Sequence, residues 1–137
     1  MSILTSQTNA MRVASLITAI NVLTAVGFSI AGLINPTSLL PASDVPTDAS
    51  FIFALYAAAR TISLAATALV AIYKRSELAL QVLGTLAGIV QMLDAGVGLY
   101  QHDLGKSIGP LFIAVLQFLA LYLLNRSVRA SAGWKMC

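Results

Sequence analysis

Four apolar runs, each long enough to cross a bilayer, alternate along the chain with short segments that carry nearly all of its charge. The runs cover about 13–34, 51–73, 78–100 and 108–125. A helix rises about 1.5 Å per residue and needs about 20 residues to cross ~30 Å of hydrocarbon. Each run therefore predicts a transmembrane helix. Together they predict an all-α fold, a four-transmembrane-helix bundle that forms a single membrane domain over residues 1–137.

The segments between the runs agree with that division. Residues 35–50 carry Pro36, Pro41 and Pro46 with Asp44 and Asp48, a composition that breaks helices and cannot sit unpaired in hydrocarbon, so this is expected to be an external or lumenal loop. Ser50 or Asp48 is the expected cap of the second helix. Lys74-Arg75-Ser76-Glu77 predicts a tight turn, the stretch from Gln101 to Ser107 predicts the next, and Pro110 suits the first turn of the fourth helix. The first run exceeds the ~7–15 residues of a signal-peptide core and no A-x-A pattern follows it, so it is expected to remain as a span.

Composition removes the main alternative. Of the 137 residues, 58% are hydrophobic and 9% are charged, against ~45–50% and ~25% in soluble domains, which leaves too few polar side chains to cover a water-facing surface. The eight Lys/Arg against five Asp/Glu give a net charge of +3, but these cations are scattered at the ends of apolar runs rather than gathered on one face, so nucleic acid is not an expected partner. The single cysteine, Cys137, permits no intrachain disulfide and lies in no C-a-a-X box. With four spans, Arg12, Lys74, Arg75, Arg126, Arg129 and Lys135 fall on one side and Lys106 alone on the other. The positive-inside rule then predicts both termini to be cytoplasmic. The bias argues against dual-topology small membrane proteins. The localisation expected is an integral, multi-pass one, with plasma membrane or endoplasmic reticulum left open.

Candidate chemistry lies inside the spans. An ionisable side chain at bilayer depth costs ~2.5–3.5 kcal/mol on insertion scales and normally faces the bundle interior with a partner. Arg60 and Asp94 are such residues. Counted from the external helix ends, Arg60, Gln91 and Gln117 lie roughly 14 Å deep and Asp94 roughly 9 Å deep, with Tyr56 one turn outward of Arg60. Tyr56, Arg60, Gln91, Asp94 and Gln117 thus form a predicted polar layer, and Arg60 and Asp94 are expected to meet. Asn21 counts as deeper, toward the cytoplasm, and suits a helix contact. Arg60 cannot act as a base; its expected work is to clamp a carbonyl, enolate or carboxylate, while Asp94 is the candidate proton carrier. His102, in the turn above, is a candidate mouth of the pocket. One His, a Cys on the opposite side and two carboxylates near His102 make no expected metal site, whether zinc or di-iron. No G-x-S-x-G, H-E-x-x-H, Walker or dinucleotide pattern occurs, and no cofactor is indicated. Gly84 and Gly88 form a G-x-x-x-G that permits close helix approach, here expected within the bundle.

Ala58-Ala59-Arg60, Gln91-Met92-Leu93-Asp94-Ala95 and the turn with His102 resemble the DoxX-like superfamily, in particular a branch of small four-helix membrane proteins in which G-x-R-D recurs in span two and G-D-A in span three. This chain reads Ala58-Ala59-Arg60-Thr61, without the Gly and the Asp of the first motif, and Leu93-Asp94-Ala95 for the second. The resemblance covers most of the chain and implies a four-helix membrane bundle. By fold-level analogy it implies quinone-linked oxidation or membrane enzymes acting on lipophilic substrates.

Three functions remain open on these grounds. The first is a protein whose intramembrane pocket binds a lipophilic small molecule through Arg60, Gln91 and Gln117. The second is an embedded isomerase or cyclase, with Asp94 as acid/base and Arg60 as electrophilic clamp. The third is a structural or accessory subunit whose polar layer only fixes helix register. Membrane lipid is the expected surrounding partner in all three, and a homo-oligomer is compatible with each. Topology is directly testable: in a Cys137→Ser background, Ser6→Cys and Ser131→Cys should react with an impermeant thiol reagent from the cytoplasmic side and Asp44→Cys from the opposite side. Labelling of Ser6→Cys and Ser131→Cys from different sides would refute the four-span arrangement.

Overall fold

The computed structural model describes residues 2–38, 40 and 44–133; Pro41, Trp134, Lys135 and Cys137 lie outside them. Four helices follow in order: α1 (Ser2–Ile34), α2 (Asp48–Tyr73), α3 (Glu77–Tyr100) and α4 (Leu104–Gly133), with one 3-10 turn at Pro36–Ser38. All four are long and apolar enough to cross a membrane. Gln7 near the start of α1 hydrogen-bonds Glu77 at the start of α3 (2.8 Å), and Ala14 packs with Leu80, Ala120 and Leu124. The helices therefore alternate in direction, with α1 parallel to α3.

The two tight turns share one construction. After α2, the Arg75 N–H donates to the Ile72 carbonyl and the Ser76 N–H to the Ala71 carbonyl, both at 3.0 Å; after α3, His102 donates to Leu99 and Asp103 to Gly98, again at 3.0 Å. This is the Schellman pattern, which places one residue in the left-handed region. Here Arg75 (φ 51°) and His102 (φ 55°) occupy it in place of the usual glycine. The residue that closes each turn then caps the following helix. The Ser76 side chain accepts the Ala79 N–H (3.4 Å) and the Asp103 carboxylate accepts the Lys106 N–H (3.2 Å).

Several helix boundaries differ from the sequence expectation, each for a local reason. α1 starts at Ser2 because its polar first turns are tied down by the Gln7–Glu77 bond and because Ala10 and Met11 pack onto the Ala14 cluster. α2 is capped by Thr47 rather than Ser50 or Asp48: the Thr47 hydroxyl accepts the Ser50 N–H (3.2 Å) while the Ser50 hydroxyl accepts the Thr47 N–H (2.9 Å). α4 starts at Leu104 because Asp103 caps it there, so Pro110 lies inside the helix and not in its first turn. Proline offers no N–H to the carbonyl four residues back, which is that of Lys106. That carbonyl leans onto Gly98, where a Cβ would come within 2.7 Å of it. α4 also runs past Asn125 to Gly133, with Val128 packed on the Ala14 cluster.

α3 and α4 are in the closest contact along their lengths. A Cβ at Gly84 would meet the Gln117 amide at 2.7 Å and one at Gly88 would meet the Phe118 ring at 2.9 Å, so the G-x-x-x-G face lies against α4. α2 is attached differently. Its buried residues are Ala58, Ala65, Ala68 and Ala71, all alanines, and Ala65 and Ala68 join Val22 and Ala87 in the second core cluster.

Asp103 gives the fold a pH dependence outside the membrane. Its carboxyl is held below the ordinary carboxylate value of 3.8, chiefly by the Lys106 backbone N–H and further by the Lys106 side chain, 3.4 Å away. A carboxylate with a lowered folded pKa stabilises the fold above its unfolded pKa, and that stabilisation is lost as pH falls through the folded value. Thermal unfolding in detergent should therefore show a loss of stability below pH 3.8 that is smaller in Asp103→Asn, which keeps the capping oxygen but does not titrate. Equal acid sensitivity in the two proteins would refute this role.

Candidate functional site

Four buried polar side chains form one connected chain across three helices. The Gln91 amide N–H donates to Asn21 Oδ1 (2.7 Å), Asn21 Nδ2 donates to Gln117 Oε1 (3.2 Å), and Gln117 Nε2 donates to Thr18 Oγ1 (2.8 Å). Thr18 and Gln117 are fully buried and Asn21 and Gln91 nearly so. Thr18 and Asn21 share a face of α1 by their i, i+3 spacing. Gln91 comes from α3 and Gln117 from α4, where Gly84 leaves room for its amide. No buried polar side-chain atom among the described residues lacks a partner.

Beside this chain, α1, α2 and α3 enclose a cleft of about 360 Å³. Its floor is Asn21, Val22 and Ala25 of α1. One wall is Ala57, Arg60, Thr61 and Leu64 of α2, and the other is Leu86, Ala87, Val90, Gln91 and Asp94 of α3. The spacing explains the walls: residues 57, 60, 61 and 64 repeat at i, i+3, i+4 and i+7, one face of a helix, and Asp94 stands one turn beyond Gln91. Arg60 and Asp94 are exposed. Counted from the Tyr73 and Glu77 ends of their helices, they lie roughly 20 and 25 Å along the bundle, so the open side of the cleft faces the hydrocarbon zone between α2 and α3.

Of the residues that sequence reasoning grouped in one layer, the cleft collects Arg60, Gln91 and Asp94. Gln117 sits behind Asn21 and does not line it, and Tyr56, 61% exposed, is not part of its lining. The expected Arg60–Asp94 ion pair does not form. Among the described residues the salt bridge is that of Lys106 with Asp103, and neither Arg60 nor Asp94 makes a side-chain bond. The two stand on opposite walls, and the gap between them is the cleft. His102 lines a separate cleft of about 710 Å³ at the end of the bundle, with Thr37, Leu40, Gln101, Asp103, Leu104 and Lys106.

Asn21 is the residue that depth counting misplaced. Depth was counted from Ile34, but α1 is 33 residues long, about 50 Å, and extends beyond the shorter helices, so its end is a poor reference. Counting from the Gln7–Glu77 bond puts Asn21 and Gln91 both fourteen residues along parallel helices, hence level. Thr18, one turn from Asn21, was the available signal. No cluster of three or more His, Cys, Asp or Glu among the described residues is arranged to hold a metal.

Comparison with protein-family models, curated proteins and solved structures finds no match to this chain.

Hydrogen bonds between membrane helices average ~0.6 kcal/mol and reach ~1.7 in double-mutant cycles. A cycle of Asn21→Ala and Gln91→Ala should thus show a coupling of about 1 kcal/mol in detergent unfolding, whereas Arg60→Leu with Asp94→Leu should be additive within ~0.5 kcal/mol. Coupling of Arg60 with Asp94 as large as that of Asn21 with Gln91 would overturn this division of roles.

Proposed function

We propose that this multi-pass membrane protein binds a lipophilic small molecule in the α1–α2–α3 cleft, with Arg60, Gln91 and Asp94 meeting its polar head. The observation that carries the reading is that two ionisable residues line one cleft at bilayer depth without pairing. Insertion scales give ~2.5–3.5 kcal/mol for each such charge, and a residue whose task was structural would recover part of this by pairing. The volume lies near the lower end of the ~300–1,000 Å³ of small-molecule sites, and its lining is apolar apart from a few polar groups. The Thr18–Gln117–Asn21–Gln91 chain already provides the register function, so that role does not account for Arg60 and Asp94. Cytoplasmic termini belong to the same proposal and are supported by the six-to-one distribution of Lys and Arg. So does membership of the DoxX-like superfamily, supported by Arg60 and by Leu93-Asp94-Ala95.

Native mass spectrometry of the protein released from its own membranes tests the reading. The wild type should retain a lipophilic adduct that Ala57→Trp loses, since Ala57 is an exposed position on the cleft wall where an indole would fill the space without disturbing the core. Identical spectra from the two proteins would sink the proposal.

A further inference from the structure

We infer that the cleft selects a head group that both accepts and donates hydrogen bonds, with Gln91 Oε1 as the acceptor that reads the donor; this rests on the ligand-binding reading above. The buried chain runs in one direction, each amide donating to the next from Gln91 through Asn21 and Gln117 to the Thr18 hydroxyl. Gln91 therefore commits one of its two side-chain N–H groups inward. Its carbonyl oxygen receives no bond from a described residue and is not sealed off, and Gln91 lines the cleft. A side-chain amide held through one of its two N–H groups keeps its orientation, and donating inward polarises the group so that its oxygen accepts more strongly. The α3 wall thus offers acceptor oxygens, Gln91 Oε1 and the Asp94 carboxyl one turn on. The opposite α2 wall offers Arg60, which has five N–H donors and no acceptor.

A molecule bridging these walls needs an acceptor toward Arg60 and a donor toward Gln91. A primary amide or a hydroxy-carbonyl on an apolar body has both. An ester or ketone has the acceptor alone and leaves Gln91 Oε1 unpaired beside a bound apolar surface, a loss of about one hydrogen bond. The exposed edge between α2 and α3 leaves the apolar body a path into the surrounding hydrocarbon.

Binding of two probes with the same tail separates the possibilities: 4-octylbenzamide, which donates and accepts, and methyl 4-octylbenzoate, which accepts only. Affinities are read from the shift in thermal unfolding of the purified full chain in detergent, with 1-phenyloctane as an apolar control. The wild type should favour the amide over the ester by about tenfold. Gln91→Met should bring that ratio close to one. Arg60→Met, at an exposed position, should weaken both probes and keep the ratio. Because Gln91 also holds Asn21, a parallel measurement in Asp94→Leu, which leaves the buried chain intact, should reduce the ratio part-way. An amide and ester that bind equally to the wild type, or a ratio unchanged in Gln91→Met, would overturn this inference and leave the binding reading standing. Failure of every probe, together with no adduct lost in Ala57→Trp, would remove the binding reading itself.

Discussion

The bundle depends on a row of side-chain hydrogen bonds linking three helices where no water competes. Between helices in lipid, apolar surfaces gain little from leaving one apolar medium for another, so close packing and polar contacts carry the association. Asn21 is the centre of this row. It accepts from Gln91 of α3 and donates to Gln117 of α4, and Gln117 returns a bond to α1 at Thr18. A slide of α1 by a single turn, about 5.4 Å, would break every link and leave several amides unsatisfied in a medium where each costs more than a typical hydrogen bond contributes. The register of α1, α3 and α4 is thereby specified. The glycines of α3 complete the arrangement, since Gly84 admits the Gln117 amide and Gly98 the close approach of the Lys106 carbonyl.

α2 stands outside this row, and the position of the cleft follows from that. It contributes no side chain to the buried hydrogen-bond chain and reaches the core through alanines. Ala65 and Ala68 lie against Val22 and Ala87, and the tight turn at Lys74-Arg75-Ser76 ties that end to α3. Toward the other end Ala58 is its only buried residue, and the residues facing α3 there are Arg60 and Thr61. Arg60 and Thr61 stand in this half where the other half presents alanines, so the helix closes against the bundle at one end and leaves a gap at the next level.

The helices and the up-and-down order were legible because hydropathy and turn residues report them directly; charge and proline sit where the chain leaves the apolar medium. The Arg60, Gln91 and Asp94 grouping was legible from depth along α2 and α3, which are close in length and joined by a three-residue turn. Gln117 and Tyr56 were grouped with them by depth alone. Depth says nothing about azimuth, and azimuth separates an amide behind Asn21 from one lining the cleft. Asn21 was misjudged because a long helix has ends that lie at no fixed level. The caps at Thr47 and Asp103 were missed for another reason: several Ser, Thr and Asp residues crowd each start, and which hydroxyl or carboxylate reaches the third N–H depends on backbone angles outside the helix.

The amides and the charges divide two tasks that the sequence shows side by side. Amides suit the interior because each offers a donor and an acceptor without carrying charge, so a closed row leaves no buried group unsatisfied. A guanidinium and a carboxyl in that interior would have to pair to offset their desolvation, and once paired they would have little left to offer a third molecule. On opposite walls of an open cleft they keep their bonding capacity at an energetic cost. That cost is tolerable only because the amide row, and not Arg60 or Asp94, holds the helices in register. Gln91 belongs to both sets: one of its N–H groups holds Asn21 in the bundle, and the residue lines the cleft.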